Sequence, residues 1–430
     1  MLRPRVALAL LALTPGCGRG CIGERTPTEP RAEDRAEPAP MPVMMSPRCG
    51  REIERAAVSF PPGAGAIESV TATCAHGTLA LFVVRGHTLT RVERGLAEAS
   101  GFSPPRVIST GVDRLGPVAP DAIDGPLAWR SPLAGMDDER DDVWAAALAP
   151  LDAGASVLRG DVLVPAGLVG LGIVAPGART QAGVTVYAGF GRATEDPSTA
   201  RLTVRIGRDE PDQPAEVSRT IAGELKAWEA SRHVALSRVE ADGATWLEAT
   251  WVDGGAHARH RLGSHHALVT SRGVSVAGRS AFLVGEFTLG HDDAGACVSV
   301  GEGVCVRAGA LYALLAGAPG TPLERVEIAP RALPDSLASR GTELTALYVS
   351  PDERPEQTTQ RAMRLDVAHR EATPLTFTPP AGFGAIDGPS LVGCDDGVWL
   401  AAQIAVPLGD DPDASTRAAV TALPLECLAR

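Results

Sequence analysis

Residues 74–84 read CAHGTLALFVV and residues 394–406 read CDDGVWLAAQIAV, one pattern written twice and 320 positions apart. Each copy opens with a cysteine, passes through a short turn ending in glycine, and enters an apolar run of strand length. Glycine before such a run is turn chemistry rather than helix chemistry. The preceding residues repeat as well. Ala122-Ile123-Asp124-Gly125-Pro126-Leu127 returns as Ala385-Ile386-Asp387-Gly388-Pro389-Ser390-Leu391, and a fainter copy, Ala66-Ile67-Glu68-Ser69, stands before Cys74.

Working outward, the turn-plus-strand unit recurs along the chain. It reads GTLALFVV from Gly77, DVWAAALAPL from Asp142, GVTVYAGFG from Gly183 and GATWLEATWV from Gly243. It continues as GRSAFLVGEFTL from Gly278, GTELTALYVS from Gly341 and GVWLAAQIAV from Gly397. Six uneven intervals from Gly77 to Gly397 average about 53 residues, in the range of repeat arrays. A further candidate, GALYALLAG from Gly309, raises the possible count to eight. A large aromatic follows most of these turns: Phe82, Trp144, Tyr187, Trp246, Phe282 and Trp399. A ring of stacking residues for a ligand is one reading. The preferred one is that each aromatic packs between neighbouring sheets.

These repeats resemble those of a β-propeller, in which copies of a four-stranded sheet bury one another's faces around a ring. The resemblance covers residues 60–430, rests on weak repeats, and singles out no named family. It implies an all-β fold of seven blades, with six to eight compatible with the spacing. Tandem β-sandwiches are the alternative. Asp395-Asp396-Gly397-Val398-Trp399 approaches the Asp-box of some propellers but lacks its serine and spacing, so no function follows from it. The one helical spacing, Ile221, Leu225 and Trp228, predicts a short helix weakened by Gly223.

The cysteines fit a ring and an oxidising compartment. Cys74 and Cys394 hold equivalent places in the first and last repeats, which closure makes neighbours, and Cys49 and Cys427 lie just outside them. A disulfide fastening near the closure is expected, although four cysteines allow three pairings. Cys297 and Cys305 bracket VSVGEGV, a predicted hairpin, and a disulfide across it is expected, with two buried thiols as the alternative.

The N-terminus, MLRPRVALALLALTPGC, has arginines at positions 3 and 5 and then an apolar run from Val6 to Leu13, too short to span a bilayer. Residues 1–16 are read as a signal peptide. Thr14-Pro15-Gly16-Cys17 resembles a bacterial lipobox with two atypical positions, which implies lipidation of Cys17 and a membrane anchor. Residues 17–48 are rich in Pro, Glu, Ala and Arg and are predicted to be a disordered tether. Residues 49–430 form the repeat domain. The expected location is the bacterial cell envelope, at the outer membrane or facing the periplasm.

Composition removes some activities. The net charge is −12 and the arginines are scattered, so no nucleic-acid partner is expected. The chain has no asparagine and one lysine, Lys226, whose surroundings match neither a Walker A loop nor Ser-x-x-Lys. Gly273-Val274-Ser275-Val276-Ala277 fails the nucleophile-elbow pattern at its last position. Residues 257–266, HARHRLGSHH, hold four of nine histidines. On a strand, His257 and His260 point to opposite faces, as do His265 and His266, and flanking Arg259 and Arg261 oppose a cation. The cluster is therefore read as a solvated strand. The acidic runs at 137–139, 292–293 and 410–413 lack the ligand order of a calcium loop.

No cofactor and no metal site are expected. The leading functional reading is a monomeric, non-catalytic envelope lipoprotein that presents loops to a protein or glycan partner. The alternative is an envelope carbohydrate-active hydrolase or lyase using carboxylates in the central channel.

Overall fold

Without asparagine, the tight hairpins need other residues able to hold positive φ. His76–Gly77, Gly86–His87, Asp242–Gly243 and Ala277–Gly278 each place both central residues there, at φ between 47° and 72°. Two positive φ values in succession give the primed turn whose twist matches that of paired strands. These turns reverse the chain so that each new strand lies antiparallel beside the last.

A computed structural model describes residues 49, 52, 57–58, 60, 65–97, 101–112, 114–121, 123, 127, 129–130, 145–148, 157–160, 168–180, 183–192, 201–208, 216–252, 254–291, 298–301, 304–351, 358–376, 383–384, 389–407 and 416–428. The predicted signal peptide, Cys17 and the tether up to residue 48 lie outside the described residues.

The strands are Ala57–Val58 (β1); Ile67–Ala75, Thr78–Arg85, Thr88–Gly95 and Arg106–Thr110 (β2–β5); Arg114–Leu115 and Trp129–Arg130 (β6, β7); and Ala145–Leu148 and Val157–Gly160 (β8, β9). Next come Leu168–Thr180, Gly183–Arg192, Arg201–Arg208 and Glu216–Ala222 (β10–β13), then Glu224–Glu229, Val234–Ala241, Ala244–Trp251 and His257–Arg261 (β14–β17). His266–Val269, Val274–Val276, Arg279–His291, Val298–Gly301, Val304–Ala316 and Glu324–Ala329 follow (β18–β23). The last are Leu333–Arg340, Glu343–Pro351, Thr358–Asp366 and Glu371–Leu375 (β24–β27), and Phe383–Gly384, Ser390–Cys394, Gly397–Pro407 and Thr416–Pro424 (β28–β31).

Four sheets are simple up-and-down meanders: β2–β5, β10–β13, β14–β17 and β24–β27. In the sheet β18–β23, strands β18 and β19 share one partner, β20. The final sheet is built from both ends of the chain, because β1 pairs with β31 outside β30, while β28 and β29 both pair with β30. The seven turn-plus-strand units of the sequence fall on β3, β8, β11, β16, β20, β25 and β30, in seven different sheets or ribbons. The eighth candidate, from Gly309, is not a further unit. It forms the C-terminal half of β22, which pairs with β20 in the same sheet.

Burial on both faces makes these sheets a ring. Along β3, Leu79, Leu81 and Val83 pack into a core shared with Val392, Trp399 and Val420 of the final sheet. The alternate residues Ala80, Phe82 and Val84 pack the other way, against Val112, Leu115, Leu127 and Trp129. β14–β17 shares a core with Phe282, Val284 and Tyr312 of the next sheet. The opposite face of that sheet, through Ala281, Leu283 and Ala313, meets Leu337, Ala346 and Met363 of β24–β27. Ala338, Leu347 and Ala362 of β24–β27 then meet Leu391, Leu400 and Leu423. Sandwiches would pair sheets two by two. Here first packs on last, and the fold is an all-β propeller.

Two disulfides fasten the closure. Cys49 is bonded to Cys427 and Cys74 to Cys394, the second pair joining the first strand of the first sheet to its counterpart in the last. Beside them, buried Arg94 pairs with Glu52 at 2.7 Å and lies over the Trp399 ring.

The helix predicted over Ile221–Trp228 is two strands meeting at Gly223. Its spacing has a physical origin. β14 carries a bulge between Leu225 and Ala227, and one extra residue turns the strand period into an apparent helical one. Gly223 holds φ +82°, and a Cβ there would sit 1.9 Å from the carbonyl oxygen of Arg238. Gly223→Ala is expected to destabilise the protein by roughly 2–4 kcal/mol through backbone strain and overlap. A urea midpoint unchanged from wild type would contradict this.

Candidate active site at the propeller axis

First strands of neighbouring sheets around the axis are stitched to one another directly. Ser336 Oγ on β24 accepts the N–H of Leu391 on β29 at 2.9 Å. Ser390 Oγ accepts the N–H of Ala72 on β2 at 2.9 Å. β29 and β24 approach so closely that a Cβ on Gly393 would lie 1.9 Å from the Ser339 carbonyl oxygen.

Three successive sheets break their first-strand ladder at one level. In β18/β19, Val269 pairs with Val284 and Val274 with Ala281, so residues 270–273 face only two residues of β20. In β24, Pro334 pairs with Tyr348 and Ser336 with Leu347, which leaves Asp335 as the extra residue of a bulge. In the final sheet, Gly384 pairs with Gln403 and Ser390 with Ala401, so the pairing on β30 is interrupted between β28 and β29. Counted back from the hairpin ending each strand, Arg272, Asp335 and Ser390 stand four, five and four positions away. Bulges re-aim side chains and recur beside active sites.

Asp335 is half-buried, and its Oδ2 accepts a hydrogen bond from Gln360 Nε2 at 2.6 Å. Gln360 shares a sheet face with Ala362, which packs toward the final sheet, so the bulged carboxyl is aimed into that gap. Burial pushes the carboxyl up to about 7, against the lowering effect of the Gln360 hydrogen bond. No other charged group acts on it among the described residues. A carboxyl that keeps its proton near neutral pH is a proton donor in waiting. Glu229 is arranged differently. It too is buried, but it accepts hydrogen bonds from the N–H groups of Ser231 and Arg232 and the hydroxyls of Ser231 and Ser280. Its lone pairs are occupied, and it ties one sheet to the next.

Arg272 crosses the axis. The backbone around it is held by β14, with Trp228 N–H on the Ser271 oxygen at 3.0 Å and Gly273 N–H on the Trp228 oxygen at 2.8 Å. Its Nη1 donates to the Ala72 oxygen of β2 at 2.9 Å, linking two sheets far apart in the ring. Nε and Nη2 are buried with no hydrogen-bond partner among the described residues. Burial lowers the guanidinium to about 10, with Asp121 pulling the other way.

The residues singled out from sequence lie elsewhere. HARHRLGSHH covers β17, the outermost strand of its sheet, and the turn into β18. His257 is exposed, while His260 is half-buried with its ring centroid 5.5 Å from that of Tyr312. His265 Nδ1 lies 3.3 Å from Thr245 Oγ1, and His266 stacks on Phe287. Burial lowers the pKa of both His260 and His266, in each case with a nearby arginine adding to it. Among the described residues no group of three or more His, Cys, Asp or Glu converges to hold a metal ion.

Phe82, Phe282 and Trp399 are buried between neighbouring sheets. Trp246 is only half-buried and donates its indole N–H to the Ala241 oxygen. The reason is a slip of one strand: its unit forms the third strand of its sheet, not the second. Trp144 and the side chain of Tyr187 lie outside the described residues, as do Cys297 and the three acidic runs. The hairpin between Cys297 and Cys305 is present as β21 and β22, with Cys305 opposite Ser299.

No family model matches the chain, and no curated protein matches its sequence. Solved structures resemble it in fold. The phage phi92 endosialidase is similar at 10% identity and a TM-score of 0.39, over 86% of this chain and 68% of that one. A variant of the Synechocystis apocarotenoid oxygenase matches at 10% identity and 0.39, over 87% and 96%. A GH43_1 enzyme from Xanthomonas citri matches at 13% and 0.31, over 87% and 92%. Likeness at this level concerns the general fold, and no substrate passes with it.

The expectation of a non-catalytic scaffold is corrected here. It rested on the lack of any reaction group, whereas the first strand β24 carries Asp335, a carboxyl that burial pushes up to about 7. Pattern reading missed Asp335 and Arg272. The available signal for the first was Pro334, since proline inside a strand-like run marks an edge or a bulge.

Proposed function

We propose that the protein is a carbohydrate-active hydrolase whose general acid is Asp335. The observation that carries this reading is a half-buried carboxyl on an axial bulge, protonated up to about pH 7 and oriented by Gln360. In the reaction, the Asp335 proton moves to the glycosidic oxygen as the bond from that oxygen to the anomeric carbon breaks. Water supplies the hydroxyl taken up by that carbon and the proton that restores Asp335.

From the N-terminal sequence we propose further that the enzyme is held at the bacterial envelope through lipid on Cys17, with a glycan as its partner. The test is a panel of envelope and plant glycans incubated with the full chain and with Asp335→Asn. Release of reducing ends by wild type alone is expected. Equal release by both proteins, or none from any glycan, overturns the assignment.

A further inference from the structure

We propose that Arg272 is a carboxylate-binding residue and that the glycan handled at the axis carries a sugar acid; this rests on the glycan reading above.

A guanidinium offers five N–H donors in a rigid plane. In Arg272 the Nη1 end is used by the Ala72 oxygen. The two nitrogens without a partner among the described residues, Nε and Nη2, are those of a single edge, which projects two parallel N–H bonds. That edge matches the two oxygens of a carboxylate. A buried cation whose donors lack acceptors is costly, commonly several kcal/mol, and a carboxylate on that edge would relieve the cost. Asp121 lies near enough to favour the charge, yet no hydrogen bond or ion pair joins the two. Among the described residues nothing occupies the fork, and Asp121 lowers the local charge. One guanidinium with an acidic neighbour suits a monoanion and disfavours a phosphate dianion.

The position strengthens the case. Arg272 lies in the four-residue excursion between β18 and β19, one sheet before the bulge that carries Asp335 and at the same level. Both side chains owe their placement to departures from regular pairing. A sugar acid held at Arg272 would present a neighbouring unit toward the sheet that bears the acid.

The test uses the full chain with Asp335→Asn, so that binding is read without turnover. Calorimetry compares trimers of galacturonate, glucuronate and mannuronate with their neutral parents, in this protein and after adding Arg272→Lys. Lysine keeps the positive charge and can still reach a carbonyl, but it has no fork. At least one acidic trimer is expected to bind tenfold or more tightly than its neutral parent and to lose that margin with Arg272→Lys, the neutral trimer being unchanged. Equal binding of acidic and neutral trimers, or an unaltered margin with Arg272→Lys, overturns the proposal. So does stronger competition by inorganic sulfate or phosphate than by acetate. Should a substituted chain fail to fold, wild type decides by melting temperature: an acidic trimer must raise it and the neutral parent must not. Acidic preference with no glycan cleaved would remove the hydrolase reading alone. Cleavage of neutral glycans with unchanged kinetics in Arg272→Lys would remove this inference alone.

Discussion

Asp335→Asn is expected to abolish activity and at the same time stabilise the protein above pH 7. Loss of a general acid costs about 10²–10⁴ in rate. The effect on stability follows from the raised carboxyl. Between the unfolded value near 4 and the folded value of about 7, the folded state holds a proton that the unfolded state releases. Stability is therefore fully present below about pH 4 and falls as pH rises through 7, by at most about 4 kcal/mol. Asparagine keeps the shape and still accepts from Gln360, but it never ionises. Urea midpoints should be equal at pH 4 and higher for Asp335→Asn at pH 8. A midpoint lower than wild type at pH 8 would make Asp335 a structural residue and remove its assigned role.

The second large effect concerns the ring. The two disulfides are nested, with separations of 378 and 320 residues. With one intact, the other closes a loop of only 58 residues, the difference between those separations. Loop entropy grows slowly with length, so Cys74→Ala with Cys394→Ala is expected to cost about 4 kcal/mol, and loss of the outer pair alone a similar amount. Losing both releases the full circle at roughly 9–10 kcal/mol on the same relation, comparable to the whole stability of an ordinary protein. Single-pair variants should fold with lowered midpoints, and the double-pair variant should not fold at 37 °C. A double-pair variant as stable as either single one would mean that the seam is held by packing of Trp399, Val420 and their neighbours alone.

Much of the architecture was legible because burial on both sides writes itself into the strands. Leu79 to Val84 are apolar without interruption because alternate residues serve two different cores. The equivalent cysteines were legible because ring closure converts sequence equivalence into contact. The helix misread at Ile221–Trp228 and the misplaced Trp246 share another cause. A bulge at Lys226 and a one-strand slip change period and register without changing composition. The site was least legible for the same reason. Asp335 and Arg272 matter because local pairing fails around them, and such failure depends on partners that lie far away in the sequence. Nor does an aspartate among 52 acidic residues announce that burial will hold its proton.

Direct titration of Asp335 tests the central claim. The carboxyl-carbon shift, followed by NMR from pH 3 to 9 and assigned by its loss in Asp335→Asn, should show a midpoint near 7. A midpoint near 4, that of a solvated aspartate, would contradict the account of an axial acid.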